Sequence, residues 1–485
     1  MIKLVVKSYK KGMITMKYDC IIVGAGPAGV FCAYELVEKN PNLKVLLVDK
    51  GRDIYSRKCP VNEHKLDKCP VNKNGISGCN PACSITNGFG GAGAFSDGKF
   101  NITTEFGGWL TDYLDDDEVL KLIKYVDSIN LKFGATEVIT DPTTDKVREI
   151  EKRGYAVGLK LLRSQVRHLG TENNLKILMR IYEHLKDKVE MHFQEEVSDI
   201  IVEDNKVKGI INKNGVRYDG DNVFLGVGRD GSKWLEEMCK KNNIRMTHNQ
   251  VDIGVRVETN DIIMEEINKN LYEGKFIYRT SVGTIVRTFC SNPSGHVVVE
   301  NHSGTMLANG HAYASKELGS NNTNFALLVS HKFSEPFDLP NEYAHQVSRL
   351  ANELSCGSII VQRYGDICKG RRSTQKRIDE GFVKPSLKEA VPGDLGLVLP
   401  YNTMKSIIEM IEALNHVTPG IANEHTLFYG VEAKFYSARP EISNNFETRI
   451  NGLYVGGDGA GLTRGLAQAG ANGVYVARDI LKKTN

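Results

Sequence analysis

A glycine-rich hexad near the start of the chain lies between a short apolar run and a helical pattern. Residues 24–29 read GAGPAG, follow the apolar residues 20–23 and precede helical periodicity from 30 to 37. In such a loop the first glycine allows a tight turn, the second lets the backbone approach a pyrophosphate, and the third allows close packing of helix and strand. Amide groups at the helix N-terminus then attract the anion. The pattern predicts dinucleotide contacts from Gly24, Ala25, Gly26, Pro27, Ala28 and Gly29.

A carboxylate follows the second predicted strand, which covers residues 43–48. Asp49 stands 25 positions after Gly24, and Lys50 follows it. The acid that holds a ribose hydroxyl is expected about 20 residues after the loop. We therefore predict that Asp49 and Lys50 contact the dinucleotide, and that its ribose is unphosphorylated.

A second glycine-rich segment lies at the other end of the chain. Residues 452–473 read GLYVGGDGAGLTRGLAQAGANG. This segment resembles the closing segment of glutathione-reductase-like FAD proteins, in which a strand ends in Gly-Asp and a helix follows. The resemblance implies FAD as the cofactor, with Asp458 and Gly459 near its ribityl chain or pyrophosphate. It also implies that the positive end of the helix carrying Gly470 and Ala471 points at the flavin, where it would stabilise charge on the reduced ring.

The stretch from 52 to 108 is dense in Cys, Pro, Asn and Gly, and an irregular segment of this length inside a compact protein is usually functional. Its centre reads GFGGAGAFSDGK at 88–99. Glycines at this density let the backbone lie against a flat ring or an anion. We predict cofactor contacts here from Gly90, Gly91, Ser96, Asp97 and Lys99.

The middle of the chain returns to short strands after a long helical region. We predict that the strands from 191 to 227 complete the dinucleotide domain, with Val197 offering backbone groups to adenine and Gly228 contacting the cofactor. Residues 226–231, GVGRDG, form another glycine hexad and leave a separate NAD(P)H site as an alternative. We favour an exit strand, because the following residues 245–251 are too polar for a buried parallel strand.

These patterns predict an α/β protein. A Rossmann-like FAD-binding domain with a parallel sheet is built from three separate pieces of the chain, and a mixed α+β substrate domain is inserted between them. The predicted boundaries are an N-terminal extension at 1–17, a first FAD-binding piece with the Cys/Gly-rich loop at 18–110, a helical segment at 111–190, a second FAD-binding piece at 191–245, the substrate domain at 246–428, and a third FAD-binding piece at 429–485.

Composition limits the class of protein and its partners. The chain has 485 residues, a net charge of +3 and one conspicuous basic cluster, at 369–377. So small an excess of positive charge argues against nucleic acid as a partner, and no run of apolar residues is long enough to predict a membrane span. Ten cysteines without a secretory signal predict a reducing, cytoplasmic setting.

Four of the cysteines, Cys59, Cys69, Cys79 and Cys83, lie before the glycine loop with gaps of nine, nine and three residues. Ferredoxin clusters and zinc sites use shorter, repeated gaps, which only the last pair approaches. We predict no metal site. A bound cluster, or a redox-active pair of Cys79 and Cys83 beside the flavin, stays open as an alternative.

Several further motifs resemble those of a bacterial family of uncharacterised FAD-dependent dehydrogenases, and the resemblance extends over nearly the whole chain beyond residue 17. They are GGAGAFSDGK, RHLGT at 167–171, VDIGVRVE at 251–258, RTFC at 287–290, NGH at 309–311, NTNFALLVS at 322–330 and GDGAG at 457–461. The resemblance implies the fold and FAD. It does not imply a substrate.

Four residues in or near these motifs are candidates for catalysis. Arg287 and Arg464 could bind a carboxylate or an enolate-like charge, His311 could exchange protons near neutral pH, as could His296, and Cys290 could protonate a carbon. The predicted function is hydride transfer to or from a C–C or C–N bond of a small molecule, with NAD(P)H as a transient electron donor or a protein as donor. The alternatives are an RNA-base-modifying flavoprotein and a flavin and thiol redox sensor without turnover.

Overall fold

The computed structural model describes residues 17–484, except 62, 64, 67–77, 97, 272–273, 303, 313–315, 335 and 338. The strands are β1 Lys17–Tyr18, β2 Cys20–Val23, β3 Val45–Asp49, β4 Lys99–Ile102, β5 Leu159–Leu162, β6 Gln165–His168, β7 Glu190–Phe193, β8 Val197–Glu203, β9 Lys206–Asn212, β10 Arg217–Gly220, β11 Val223–Leu225, β12 Met246–Thr247, β13 Val251–Asn260, β14 Lys275–Arg279, β15 Ile285–Asn292, β16 His296–His302, β17 Thr305–His311, β18 Asn322–His331, β19 Ile360–Arg363, β20 Val391–Pro392, β21 Leu427–Lys434, β22 Arg439–Pro440 and β23 Leu453–Val455.

The α-helices are α1 Pro27–Lys39, α2 Asp116–Lys132, α3 Asp145–Tyr155, α4 Thr171–Leu185, α5 Ser232–Lys241, α6 Asp261–Asn270, α7 Pro340–Leu354, α8 Tyr364–Cys368, α9 Gln375–Asp379, α10 Tyr401–Val417 and α11 Leu466–Thr484. Short 3₁₀ helices include Gly91–Phe95 and Asp458–Ala460. No helix in the described part of the chain has the length and apolarity needed to cross a membrane.

Five parallel strands form the sheet of a Rossmann-like domain, in the order β23-β11-β2-β3-β7. Strands β2, β11 and β23 consist of buried residues, almost all of them apolar, as expected for a parallel sheet covered on both faces. Helices α1 and α11 pack closely, because Gly473 stands where an added Cβ would lie 2.0 Å from the Ala28 carbonyl oxygen. The sheet is therefore assembled from three distant pieces of the chain, and the predicted fold class is confirmed.

A smaller sheet of order β1-β10-β9-β8 lies beside the parallel sheet. It contains the strands predicted between 197 and 212. Strand β11 follows this smaller sheet and pairs in parallel with β2 and β23. The hexad at 226–231 therefore comes directly after a central strand of the five-stranded parallel sheet. In the described residues, this hexad does not open a second dinucleotide-binding unit.

The second domain is built on an eight-stranded sheet of order β20-β19-β21-β13-β18-β15-β14-β5. One face of this sheet is apolar and packs against helices that include α10, in a core containing Val251, Ile253, Val255 and Val257. The β16–β17 hairpin packs against β13, β18 and β21. The sequence predicts strands at 252–258, 284–288 and 296–300, which correspond to β13, β15 and β16.

Two strands of the eight-stranded sheet lie wholly or partly outside the predicted substrate domain at 246–428. The segment 111–190 holds β5 and β6 as well as helices, and β5 forms an edge of the eight-stranded sheet. Strand β21 crosses the predicted limit at 428 and pairs with β13 and β19 along its length. All residues of β21 except Lys434 are buried, and they include the charged residue Glu432.

Candidate functional site

The glycine hexad at 24–29 forms the turn between β2 and α1, and its three glycines meet different neighbours. An added Cβ would lie 2.7 Å from the Gly226 carbonyl oxygen at Gly24, and 1.9 Å from the Gly24 carbonyl oxygen at Gly29. At Gly26 an added Cβ would have no atom within 4 Å. Gly26 also caps the N-terminus of α1 without a side-chain hydrogen bond. The Cβ position of Gly26 is therefore open, as a pyrophosphate contact at this helix N-terminus would require.

The Asp49 side chain connects the glycine hexad, the turn after β3 and the glycine loop at 88–99. Its carboxylate accepts hydrogen bonds from the backbone amides of Ala25 (2.8 Å), Gly51 (2.7 Å) and Gly88 (2.9 Å). Sequence spacing predicts only a ribose contact for this residue, which stays a prediction. Lys50, its neighbour, pairs with Asp230 at 2.5 Å.

The glycine loop packs directly on the hexad. The Gly90 amide donates to the Ala25 carbonyl (2.7 Å), and an added Cβ at Gly91 would lie 3.0 Å from Gly26 Cα. Arg57, which is buried, donates to four carbonyl oxygens of this region, those of Ser84, Ile85, Phe89 and Gly91. Sequence reasoning missed Arg57, since a single arginine in an irregular stretch carries no signal of its own.

The polar residues at the end of this loop have local roles in the described structure. The Ser96 hydroxyl donates to the Gly93 carbonyl (2.8 Å) and accepts from the Gly98 amide (3.2 Å). Lys99 is the first residue of β4 and lies opposite His168 of β6 in the antiparallel strand pair. Asp97 lies outside the described residues. Cofactor contacts from these side chains stay predictions.

The segment after β23 lies against residues 227–228, which follow β11. The Gly459 amide donates to the Val227 carbonyl (2.9 Å), and an added Cβ at Gly228 would meet no atom within 4 Å. Asp458 accepts a hydrogen bond from the Thr463 hydroxyl at 2.6 Å. Burial raises the pKa of Asp458, and the Thr463 hydrogen bond and the charge of Arg464 oppose that rise.

Helix α11 begins at Leu466, so Arg464 lies just before its N-terminus. Gly470 lies within the helix, where an added Cβ would be 2.9 Å from Val126 and 3.0 Å from Phe31. Ala471 is fully buried beside it. The structure gives both residues a packing role. Their contact with the cofactor, like that of Val197 at the start of β8, stays a prediction.

The second face of the eight-stranded sheet carries buried polar residues. In β13, Asp252, Arg256 and Glu258 alternate with the apolar core residues, and all three are 0% exposed. Arg256 lies 3.4 Å from Glu432 of β21. It also donates to Asn324 and to the Cys290 carbonyl. Burial of this much charge is costly, so it indicates a functional surface.

Asp252 lies at the end of this polar face that is next to Tyr436, a residue shortly after β21. The Tyr436 hydroxyl donates to its carboxylate, and Gln250 Nε2 donates to it at 3.1 Å. The Arg464 guanidinium lies over the Tyr436 ring, 4.2 Å from the ring centroid. Trp109 meets the same ring edge-on at 5.1 Å between centroids.

Arg287 of β15 also lies close enough to act electrostatically on Tyr436. Burial and the Asp252 carboxylate raise the pKa of Tyr436, and the positive charges of Arg464 and Arg287 oppose the rise. We call Tyr436, Asp252, Trp109, Arg287 and Arg464 the Tyr436 cluster. Two predicted catalytic residues thus meet, although 177 positions separate them in the chain.

The other two predicted catalytic residues lie elsewhere. Cys290 is exposed at a bulge of β15 with φ 42°, and its backbone carbonyl binds Arg256. His311 ends β17 opposite His296, at the base of the hairpin. The hairpin tip instead carries His302, whose ring stacks on Phe435 at 4.3 Å. Burial lowers the pKa of His302, and the charge of Arg229 lowers it further.

The cysteines at 59–83 and the basic cluster at 369–377 provide little support for a functional site. Cys69 lies outside the described residues, Cys59 and Cys83 are free thiols, and Cys79 is half-buried. No group of three metal-ligating side chains occurs in the described part of the chain. In the basic cluster, Arg371 pairs with Asp366 at 2.7 Å, and Lys369 lies 3.6 Å from Glu424.

The parallel sheet, the glycine hexad and the open helix N-terminus define a Rossmann-like dinucleotide-binding protein. Residues 244–435 match the family described as FAD-dependent protein, C-terminal domain-like, and residues 2–53 match the Thi4 family. The cofactor is accordingly FAD.

Similar proteins extend over almost the whole chain. An "Uncharacterized protein" of Clostridium beijerinckii is 26% identical over 501 residues, covering 99% of this chain and 83% of that protein. Glycine oxidase from Geobacillus kaustophilus is 12% identical with a TM-score of 0.37, covering 96% of this chain and 95% of its own. Pyridoxine 4-oxidase from Mesorbium loti is 12% identical with a TM-score of 0.43, covering 95% and 99%. Similarities this low carry no information about the substrate.

Proposed function

We propose that this flavoprotein transfers a hydride to or from a C–C or C–N bond of a small molecule, at the Tyr436 cluster. The observation that carries the proposal is the meeting of two polar surfaces from different domains. The segment before α11 brings Arg464, and the sheet brings Asp252 and Arg287, to one aromatic ring. Such convergence of polar groups around an aromatic wall is typical of a small-molecule site.

FAD, when bound, supplies the acceptor or donor of the hydride. The hexad at 24–29 would hold its pyrophosphate, with Gly26 leaving the space and α1 providing the amides. The sheet order and the Gly-Asp segment at 457–458 support a place among glutathione-reductase-like FAD proteins. The N-terminus of α11 would lie near the flavin ring, as the resemblance implies.

The electron partner in this proposal is either NAD(P)H, binding transiently, or another protein. Transient binding is supported by the position of the hexad at 226–231, which belongs to the FAD-domain sheet. We also propose a cytoplasmic setting, supported by the free thiols of Cys59 and Cys83.

The two alternative functions have less support. An RNA-modifying role relied on the basic cluster at 369–377, where Arg371 and Lys369 lie beside carboxylates. A redox-sensor role depends on the thiols at 59–83, of which Cys79 and Cys83 are partly buried. Neither alternative uses the Tyr436 cluster.

The test is anaerobic reduction of the purified protein. The absorbance spectrum should show bound flavin, which NADH or NADPH should bleach if a pyridine nucleotide is the donor. A flavin that stays oxidised with both, but is reduced by a chemical reductant, would redirect the search to a protein donor. Absence of flavin after reconstitution with FAD would refute the proposed function.

A further inference from the structure

The two arginines of the Tyr436 cluster are half-buried, and they differ from the buried arginines in their partners. Arg167 binds both carboxylate oxygens of Asp127, at 2.7 and 2.8 Å. Arg256 faces Glu432, and Arg57 binds four carbonyls. In the described residues, by contrast, neither Arg287 nor Arg464 forms an ion pair with a carboxylate.

The hydrogen bonds of the pair are also incomplete. Arg287 Nε is buried and has no hydrogen-bond partner among the described residues. Arg464 donates only a long bond, of 3.4 Å, to the Phe435 carbonyl, besides lying over the Tyr436 ring. A buried guanidinium N–H without an acceptor is costly, and such an exception needs an explanation. An anionic ligand would supply the missing acceptors.

The carboxylate of the Tyr436 cluster, that of Asp252, already accepts hydrogen bonds from other residues. Asp252 is fully buried and accepts hydrogen bonds from Tyr436 and Gln250. Its charge is therefore directed to the tyrosine hydroxyl, which leaves the excess positive charge of the cluster on its two arginines. Asp458 acts on Arg464 only through space.

We propose that the substrate of this enzyme carries a carboxylate, and that Arg287 and Arg464 bind it. The inference rests on the proposed function and names its substrate class. Two guanidinium groups match the planar, bidentate geometry of a carboxylate. Trp109 and the Tyr436 ring would contact the apolar body of the substrate. Tyr436 is a positioning residue, because it holds Arg464 by its ring and is itself fixed by Asp252.

The matched control is Arg439, a third arginine nearby. Its guanidinium also lies over an aromatic ring, 4.7 Å from the Trp109 centroid. Unlike the other two, it pairs with Asp112 at 2.6 Å and donates to the Gly461 carbonyl. Arg439→Met therefore removes a neighbouring charge of the same kind that already has its acceptors.

The experiment titrates the FAD-loaded protein with benzoate and succinate, and with the neutral isosteres benzamide and succinamide. Binding is read from the flavin difference spectrum and, independently, by calorimetry. We expect the carboxylates to bind and the amides to give no signal. Arg287→Met and Arg464→Met should each weaken carboxylate binding about tenfold to a hundredfold, as for loss of a charged hydrogen bond. Arg439→Met should bind like the parent.

Tyr436→Phe tests the positioning role. It keeps the ring beneath Arg464 and removes the hydrogen bond to Asp252, so we expect weaker carboxylate binding with unchanged discrimination against the amides. A structural role alone would lower the melting temperature without changing carboxylate affinity. FAD content and melting temperature of every variant show whether it is folded.

Four results would overturn the inference: equal binding of amides and carboxylates, no carboxylate binding, sulfate binding as tight as carboxylate, or parent-like affinity in both Arg287→Met and Arg464→Met. Calorimetry on FAD-free protein separates this failure from failure of the proposed function. Carboxylate binding without any flavin binding would retain the anion site and reject the oxidoreductase.

Discussion

In the five-stranded parallel sheet, β2, β11 and β23 are apolar and buried on both faces, whereas β13 of the eight-stranded sheet alternates apolar with equally buried charged residues. The first sheet keeps its polar groups in the loops at its strand ends, as open α/β sheets do. The second presents them on the strand face itself. Changes at the first site should therefore separate binding from stability, and changes at the second should affect both.

Arg256→Met should give the largest effect on folding. The substitution leaves Glu432 buried with only Lys434, at 3.1 Å, as an ionic partner. We expect a loss of about 3 kcal/mol in the free energy of unfolding, measured with urea. The double variant Arg256→Met/Glu432→Gln should recover most of this loss.

The control for that prediction is on the apolar face of the same strand. Ile253→Val should cost about 1 kcal/mol and leave ligand binding unchanged, because it only removes one buried methylene. If Arg256→Met cost no more than Ile253→Val, the two faces would be energetically alike and the comparison would fail.

Gly26→Ala should separate FAD affinity from stability. Gly26 has φ −73° and open space at the Cβ position, so the FAD-free protein should keep its melting temperature. The methyl group would enter the space assigned to the pyrophosphate, and an overpacking cost of about 1 to 3 kcal/mol corresponds to roughly a five- to hundredfold loss of affinity. Gly29→Ala should instead destabilise the fold, because its Cβ would clash with the Gly24 carbonyl. Parent-like FAD affinity in Gly26→Ala would place the pyrophosphate elsewhere.

Asp458→Asn should change the pH dependence of stability. Burial raises the folded-state pKa of Asp458, so the folded protein holds this proton more tightly than the unfolded chain. Stability from this group is complete below the ordinary aspartate pKa, about 3.9, and is lost as pH rises through the raised value. Unfolding of FAD-free protein across that window should show a smaller decline for the variant than for the parent. A parallel decline in both would contradict the assignment.

Lys50→Ala should give the smallest effect. Lys50 pairs with Asp230, whose side chain is 55% exposed, and such pairs contribute less than about 1 kcal/mol. We expect FAD affinity to fall less than about fivefold. Asp230→Asn serves as the matched variant. A large loss with Lys50→Ala alone would show that Lys50 contacts the cofactor directly.

Much of the dinucleotide domain could be predicted, because its signals are local. The hexad at 24–29 combines strand, turn and helix within a short stretch, and Gly24 and Gly29 have the crowded environments that this pattern requires. For Asp49 the sequence predicts a ribose contact, but it does not predict the hydrogen bonds that the carboxylate accepts from backbone amides. Its hydrogen bonds to Gly51 and Gly88 join loops whose approach no spacing rule describes.

The sheet of the second domain was less predictable. Its strands were placed correctly at β13, β15 and β16, but the polar face gave no local sign of being buried. Alternation in VDIGVRVE is equally typical of a strand with one face in water. Cys290 and His311 were chosen for their chemistry, while His302 and Tyr436 carried no signal that separates them from ordinary core residues.

By itself the sequence determined the Rossmann-like strand-turn-helix unit and the FAD expectation, because each depends on residues near one another in the chain. Tertiary structure alone decided that Arg287 and Arg464 meet at Tyr436, and that Asp252, Arg256 and Glu258 are buried. Those contacts depend on how β21 pairs with β13 and how the segment before α11 approaches the sheet. Pairing between distant strands is set by the whole fold, which no local pattern encodes.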